Sequence, residues 1–303
     1  TQAAKTRRMS GVRAVTPDIA YRLQMFSTPA QIGAPTLWDM VGGQSNAGAG
    51  VKVADIDSGI FVRYDANGNY TGNPCFDDTG YTAPKGYPKG DKKYTNNKVI
   101  VARAYFRPGD GPIPGENSPI QGTNEASPHG THTAGTIACD ANTPVTFQGA
   151  NVLISGIAPH AYLMNYRVFY PSKSPEDFQN GNAYVAELVK AIDDAVKDGA
   201  DVVSNSWGSS YQNTLAWPDP MIQASDNAVD AGVVMVYANG NAGPDPETAI
   251  SPAISPKVIG VGAVSKNATI VPGFISVTDP QPVPANLVGL PFGGAGFGPQ
   301  MTS

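Results

Sequence analysis

Three residues that can cooperate in hydrolysis occur in the order Asp57, His129 and Asn241, each close to glycine or another small residue. A carboxylate can orient an imidazole, the imidazole can take a proton from a hydroxyl nucleophile, and an amide can donate to the oxyanion of a tetrahedral intermediate. His129 opens an expected helix, whose positive end disfavours protonated imidazole and keeps a neutral base. Simpler explanations stand beside these: Asp57 as a turn residue, His129 as an incidental histidine or a metal pair with His132, and Asn241 as a loop cap.

Alternating apolar runs and helical patterns predict the elements that position these residues. We expect buried strands at residues 51–60, 99–106, 162–169, 201–208, 233–238 and 258–264, and helices at 129–138, 183–198 and 219–231. Strands that are apolar throughout and separated by helices predict an α/β fold, a doubly wound and mostly parallel sheet with helices on both faces. Functional groups of such sheets collect at the carboxyl ends of the strands, so Asp57, His129 and Asn241 should share one rim. Residues 63–97 are expected to form a surface insertion.

Composition excludes several classes of partner. The 303 residues are 41% hydrophobic and 15% charged, which suits one large α/β domain or one domain and part of a second. A net charge of −5 and a pI near 5.1 do not suggest nucleic acid or an anionic membrane as partner. No apolar run approaches the roughly 20 residues of a membrane span, and no signal peptide is recognisable. Low charge with abundant Gly, Pro and Tyr favours an extracellular protein.

Cys75 and Cys139 allow one disulfide, with two buried thiols as the alternative, and lack zinc-site spacing.

The stretches around the three residues resemble three of the four sequence signatures of the subtilisin-like serine proteases, the subtilases. They are Asp57-Ser58-Gly59 after an apolar strand, the stretch His129-Gly130-Thr131-His132-Thr133-Ala134-Gly135, and Gly240-Asn241 after another strand. The resemblance covers roughly residues 26–265. It implies that Asp57 is the orienting acid, His129 the general base and Asn241 the oxyanion donor, and that His132 packs inside its helix. It also implies that substrate contacts Ser206, Trp207, Gly208, Ala238, Asn239 and Gly240, with Trp207 and Asn239 narrowing or polarising the pocket.

The chain departs from the family pattern in its nucleophile. Subtilases carry the serine in Gly-Thr-Ser-Met-Ala-x-Pro, and no such stretch occurs in these residues; Ser303 follows Met301-Thr302 without the glycine. The resemblance therefore implies the end of an inhibitory propeptide at 1–25 and the N-terminal part of a catalytic domain at 26–265. It further implies the start of an inserted protease-associated-type domain at 266–303. The catalytic fold would then be incomplete at its C-terminus.

The expected function is that of a secreted serine endopeptidase made as a zymogen and acting on protein or peptide substrates. Its serine would lie further along the precursor or on a second fragment, and that remaining part would be the partner of this otherwise inactive chain. The alternative is a non-catalytic relative whose cleft binds peptides or serves as a scaffold. No nucleic acid and no membrane span are expected. No cofactor is required; calcium is common among subtilases, but no loop has a clear run of oxygen ligands, so no metal site is assigned.

Overall fold

A computed structural model gives the structure of the protein. It describes Pro29 and residues 32–61, 63–64, 70–121, 128–147, 150–172, 183–209, 219–243, 247–263, 272–275 and 290–293. The chain divides into a large unit, Tyr21–Gly262, and a second unit made of Thr1–Ala20 and Ala263–Ser303. The sequence also predicts a short strand at residues 12–15, which lie outside the described residues. None of the helices in the described part of the chain has the length and apolar character to cross a bilayer.

The elements alternate between strand and helix along most of the chain. The strands are β1 (Lys52–Asp57), β2 (Arg63–Tyr64), β3 (Tyr70–Gly72), β4 (Lys89–Gly90), β5 (Val99–Ala104), β6 (Thr143–Phe147), β7 (Ala150–Ile154), β8 (Tyr162–Arg167), β9 (Val202–Asn205), β10 (Val234–Ala238), β11 (Ile259–Val261), β12 (Pro272–Ile275) and β13 (Leu290–Gly293). The α-helices are α1 (Ala34–Met40), α2 (His129–Ala138), α3 (Val185–Asp198) and α4 (Pro220–Asp230). Short 3-10 helices cover Gln44–Asn46, Pro74–Phe76 and Lys92–Tyr94.

Seven parallel strands form the main sheet of the large unit, in the order β11-β10-β9-β1-β8-β5-β4. The predicted α/β fold with a parallel sheet is confirmed. The other pairs are antiparallel: β2 with β3 and β6 with β7 in the large unit, and β12 with β13 in the second unit. The antiparallel pair of β6 and β7 was not predicted.

Helices cover both faces of the sheet because side chains alternate along each strand. On β1, Ala54 and Ile56 belong to the larger core cluster, which includes Leu188 and Ile192 of α3. Val53 belongs to a second cluster with Ala134 and Ala138 of α2. Asp55 and Asp57 lie on the same face as Val53, since they are two and four residues further along the strand. The central strand therefore presents two carboxyl groups to α2.

The helix α3 shows why the helical patterns were predictable. Leu188, Ala191, Ile192 and Ala195 are buried and recur at helical spacing, which places one stripe on the sheet. The helix ends at Gly199, whose φ of 91° is the left-handed conformation common at helix ends. The predicted and observed bounds of α2 agree, and those of α3 and α4 differ by one or two residues.

The expected surface insertion at 63–97 is partly wrong. Phe76 is 1% exposed and packs with Val99, Ala134 and Leu163 in the second core cluster. β4 adds to the sheet by pairing with β5. The stretch is rich in turn residues, and that composition concealed a buried aromatic anchor and a short edge strand.

A disulfide joins Cys75 and Cys139, whose Cα atoms are 4.3 Å apart. Of the two alternatives left by the sequence, the bridge is the one that the structure contains. It connects the segment after β3 to the C-terminal end of α2. It also borders a cavity of about 650 Å³ on the outer side of α2.

Candidate active site

The carboxyl edge of the sheet brings the predicted site segments together. Because β1, β9 and β10 are adjacent, Asp57, Ser206 and Asn239 come at or just after the ends of three neighbouring strands. The helix α2 packs against β1 and begins at His129. The sequence predicted that these residues share one rim, but it did not predict the strand order. The observed order places them at that common rim.

Asp57 and His129 are in direct contact. Nδ1 of His129 lies 2.9 Å from both Oδ1 and Oδ2 of Asp57, and the backbone N–H of Ser58 donates to Oδ1 at 2.7 Å. The Asp57 side chain is 3% exposed and that of His129 is 49% exposed. The carboxylate is thus held inside the fold, while the imidazole reaches the surface of the site.

The contact with Asp57 raises the pKa of His129 above its ordinary 6.5. The hydrogen bond is the largest cause and the negative charge adds to it, whereas partial burial acts in the opposite direction. The expectation that the helix end keeps the imidazole neutral left out the carboxylate at hydrogen-bond distance, which acts in the opposite direction.

The lack of a side chain at Gly130 allows α2 to approach the end of β1 closely enough for this contact. A Cβ at Gly130 would lie 2.7 Å from the carbonyl oxygen and 2.9 Å from the nitrogen of Gly59. The backbone N–H of Gly130 donates to Oγ of Ser58 at 2.9 Å. Phe61 donates its backbone N–H to Oγ1 of Thr131 at 2.7 Å. The residues around Asp57 and those after His129 therefore form one hydrogen-bonded joint.

A second carboxyl group, that of Asp55, lies behind the pair. It is 1% exposed, and Oγ1 of Thr133 lies 3.0 Å from its Oδ2. Burial raises the pKa of Asp55 well above 3.8, and the charge of Asp57 raises it further; only a hydrogen bond donated by the Thr133 hydroxyl to the ionised carboxylate would lower it. The sequence-based prediction missed both residues, although an acidic residue inside an otherwise apolar strand was a visible signal.

A buried ion pair supports the loop that leads to α2. Arg167 is paired in register with Asp57 across β1 and β8, but its Nη2 lies 2.5 Å from Oε2 of Glu116. Nη1 donates to the carbonyl oxygens of Glu116, Ser118 and Ile120. Both charged side chains are fully buried, so the pair fixes residues 116–120 under the site.

The two predicted substrate-binding segments contact a common side chain. A Cβ at Gly208 would lie 2.4 Å from Cδ1 of Ile250, and one at Gly240 would lie 2.9 Å from the same atom. Ile250 also donates its backbone N–H to the carbonyl oxygen of Asn239. Glycine at both positions lets the two segments close on Ile250. Contact of Ser206, Gly208, Ala238, Asn239 and Gly240 with substrate stays a prediction.

The indole of Trp207 makes its contacts within the protein. Its ring packs against Phe169 and, edge to face, against Tyr237, and Nε1 donates to the carbonyl oxygen of Ile56 at 2.8 Å. The side chain thus ties the end of β9 to β1. A substrate contact by the Trp207 backbone stays a prediction.

Asn241 lies three residues beyond β10 and is exposed. In the described part of the chain, no hydrogen bond joins it to Asp57 or His129. Its place at the carboxyl edge is the one that the oxyanion role requires, and that role stays a prediction.

His132 is exposed and lines the cavity on the outer side of α2. The expectation that it packs inside the helix is wrong, because Gly130, Thr133 and Ala134 are the residues of the first turns that are buried. Within the described ranges, no group of three or more His, Cys, Asp and Glu residues has an arrangement that could hold a metal ion.

Comparisons with known proteins give a family match, several relatives and a solved structure. The family model described as "Subtilase family" matches residues 48–282. "Minor extracellular protease Vpr" of Bacillus subtilis (strain 168) is 32% identical over 273 residues, which cover 83% of this chain and 27% of that protein. "Subtilisin-like protease SBT2.5" of Arabidopsis thaliana is 30% identical over 261 residues, covering 82% and 31%. A solved structure, "Structure of Prenylagaramide maturation protease PagA", has a TM-score of 0.46 and 23% identity, covering 79% and 61%. The chain spans under a third of the length of the two relatives.

Proposed function

Because the chain belongs to the subtilase family, we propose that it supplies the acid–base pair and the substrate-binding edge of a secreted serine endopeptidase. The observation that carries the proposal is the contact of Nδ1 of His129 with the buried carboxylate of Asp57 at 2.9 Å. In such a pair the carboxylate fixes the tautomer and orientation of the ring, and Nε2 becomes the atom that takes the proton of the nucleophile.

The other predicted residues receive roles from their places along the carboxyl edge. Asn241 donates a hydrogen bond to the oxyanion that forms when the peptide carbonyl is attacked. The segments after β9 and β10, Ser206–Gly208 and Ala238–Gly240, lie on either side of an extended peptide. Protein or peptide substrates are the class that fits an edge of this kind.

The nucleophile in this proposal is a serine outside residues 1–303. No Gly-Thr-Ser-Met-Ala stretch occurs in them, and they cover only 27% and 31% of the two relatives. We assign residues 1–25 to the end of a propeptide, 26–265 to the catalytic domain and 266–303 to the start of a protease-associated-type insertion. Secretion follows the printed name of one relative, an extracellular protease.

The test uses the full-length protein, a fluorogenic peptide and a serine-directed phosphonate. We expect hydrolysis, and we expect the label on a peptide that lies outside residues 1–303. His129→Ala should lower kcat about 10⁶-fold. His132→Ala, on the outer side of the same helix, is the matched control and should leave kcat in place.

Two outcomes would contradict the proposal. A label within residues 1–303 would refute the assignment of the nucleophile. Peptide binding without labelling or hydrolysis would favour a non-catalytic subtilase relative that binds peptides or serves as a scaffold.

A further inference from the structure

Two carboxyl groups on the same face of β1 have opposite surroundings. Asp57 receives donors from the His129 ring and from the Ser58 backbone. Asp55 is 1% exposed, its Oδ2 contacts only the hydroxyl of Thr133, and its Oδ1 has no hydrogen-bond partner among the residues that the structure describes. Donors stabilise a carboxylate, whereas burial without them favours the neutral acid.

The hydroxyl of Thr133 indicates which group carries the proton. Its Oγ1 lies 3.0 Å from Oδ2 of Asp55 and 3.0 Å from the carbonyl oxygen of Gly130. A hydroxyl has one proton to donate, and a carbonyl can only accept. If Asp55 were ionised, both oxygens would compete for that one proton. If Asp55 is protonated, it donates to Oγ1, the hydroxyl donates to Gly130, and both contacts are complete hydrogen bonds.

We infer that Asp55 is a neutral carboxylic acid in the folded protein and that it acts as a positioning residue, donating through Thr133 to the first turn of α2. The oxygen at the end of this chain belongs to Gly130, the residue after His129, so the chain helps to fix the ring against Asp57. The positioning role rests on the proposed function, in which His129 is the base. The protonation state stands independently of it.

The groups around Asp55 are consistent with a single negative charge at the site. The charged and polar residues on its own strand and on the neighbouring elements are Asp57 on β1, His129 and Thr133 on α2, Asn165 and Arg167 on β8, with Glu116 paired to Arg167, and Ser204 on β9. A second carboxylate beside Asp57 would hold His129 protonated to higher pH. A protonated imidazole cannot act as the base, so the neutral acid preserves the base at working pH.

Asp55→Asn tests the protonation state, because an amide keeps a donor toward Thr133 and cannot be charged. The readout is the pKa of the His129 ring in the full-length protein, followed by NMR. We expect the wild-type value in Asp55→Asn. An ionised Asp55, about 7 Å along the strand from Asp57, would raise that pKa, and its removal would lower it by about one unit or more. Such a fall would overturn the inference.

Asp57→Asn is the positive control, since it removes a charge in direct contact with the ring and must lower the same pKa. Infrared spectroscopy gives an independent reading of the proton. The carbonyl stretch of a protonated carboxyl group should be present in the wild-type protein at neutral pH and lost in Asp55→Asn. Identical spectra for the two proteins would also overturn the inference.

The positioning role is tested by removing and restoring the donor. Asp55→Val and Thr133→Val interrupt the chain, so kcat should fall about 10- to 100-fold with KM nearly unchanged. Asp55→Asn and Thr133→Ser restore it and should recover most of the loss. Equal losses in Asp55→Asn and Asp55→Val would refute positioning. If no form of the protein hydrolyses peptide, the proposed function fails, while the NMR and infrared results still decide the protonation state.

Discussion

The charge on His129 is the residue-scale property that should govern activity. Its pKa is raised by Asp57, and a general base must be neutral, so kcat/KM should rise with pH through that raised value. Asp57→Asn should move the rising limb to lower pH and lower kcat about 10⁴-fold, because the amide no longer selects the productive tautomer. The pH profiles of the two full-length proteins check this. If the rising limb of kcat/KM lies at the same pH in both proteins, the titrating group is not His129.

The raised pKa of His129 also makes the stability of the fold depend on pH. A histidine whose pKa is higher in the folded state contributes stability that is complete below its unfolded pKa of about 6.5. That contribution is lost as pH rises through the folded value. The protein should therefore be most sensitive to loss of the Asp57 carboxylate in mildly acidic solution.

Asp55 should also make stability fall with rising pH, beginning at a lower pH than His129 does. Its raised pKa means that the folded chain keeps a proton which the unfolded chain loses above about 3.8. Wild-type stability then falls with rising pH by up to about 1.4 kcal/mol per unit until the folded pKa is reached. Asp55→Asn removes this slope, so its advantage over the wild type should widen with pH. Urea unfolding at several pH values measures the difference, and a constant difference would contradict the prediction.

At the scale of elements, the packing of α2 on β1 depends on Gly130. Alanine there would place its Cβ 2.7 Å from a backbone oxygen, so the helix must shift. We expect a loss of about 1–3 kcal/mol in unfolding free energy and a large loss of activity. Gly135→Ala is the matched control on the same helix, because nothing lies within 4 Å of its added Cβ. It should stabilise by up to about 1 kcal/mol. Equal effects of the two substitutions would show that the joint is not tight.

The disulfide contributes to the same helix from its other end. Cys75 and Cys139 are 64 residues apart, and closing a loop of that length stabilises by about 4 kcal/mol in the chain-entropy model. The double substitution to serine should lower the unfolding free energy by an amount of that order. Denaturant midpoints of the oxidised protein and the variant give the value. A loss well under 1 kcal/mol would mean that contacts of Phe76 alone hold the segment.

The sequence predicted elements well where one physical rule dominates. Apolar runs located β1, β8 and β10, because parallel strands are buried on both faces. Prediction from the sequence failed for features that long-range packing determines. These are the insertion of β9 beside β1, the burial of Phe76, and the orientation of the Trp207 ring toward Ile56. Asp57 and His129 were predictable from their motifs. The role of Asp55 was not, since its meaning depends on the distance to Thr133 on another element.

At the scale of the whole molecule, one face of the sheet at β10 and β11 carries exposed apolar side chains. Val236 pairs with Ile259 and Ala238 with Val261, so these side chains and Val234 share one face. Val234, Ile259 and Val261 are 44%, 52% and 50% exposed, whereas Met235 and Tyr237 on the opposite face are buried. We expect residues 1–303 alone to bind a hydrophobic dye at this face and to self-associate.

Threonine at Ile259 and Val261 should reduce dye binding and light scattering of that fragment. Val185→Thr, which replaces an exposed valine on α3 (47% exposed), is the control and should change neither. If the double variant still binds dye at the original level, the exposed face is not the source of the association.

The position of β1 in the sheet also determines when, during synthesis of the chain, this strand can pair with its neighbours. β1 lies between β8 and β9, and Lys52 at its start bonds Asp201, 149 residues further along. A ribosome adding about 5–20 residues per second needs roughly 7–30 s to produce that stretch. Throughout this interval the strand that carries Asp57 lacks β9, and for most of it β8 as well, so its apolar side chains stay available to chaperones. Assembly of the proposed catalytic centre is therefore expected to be a late event, limited by the rate of translation rather than by local folding.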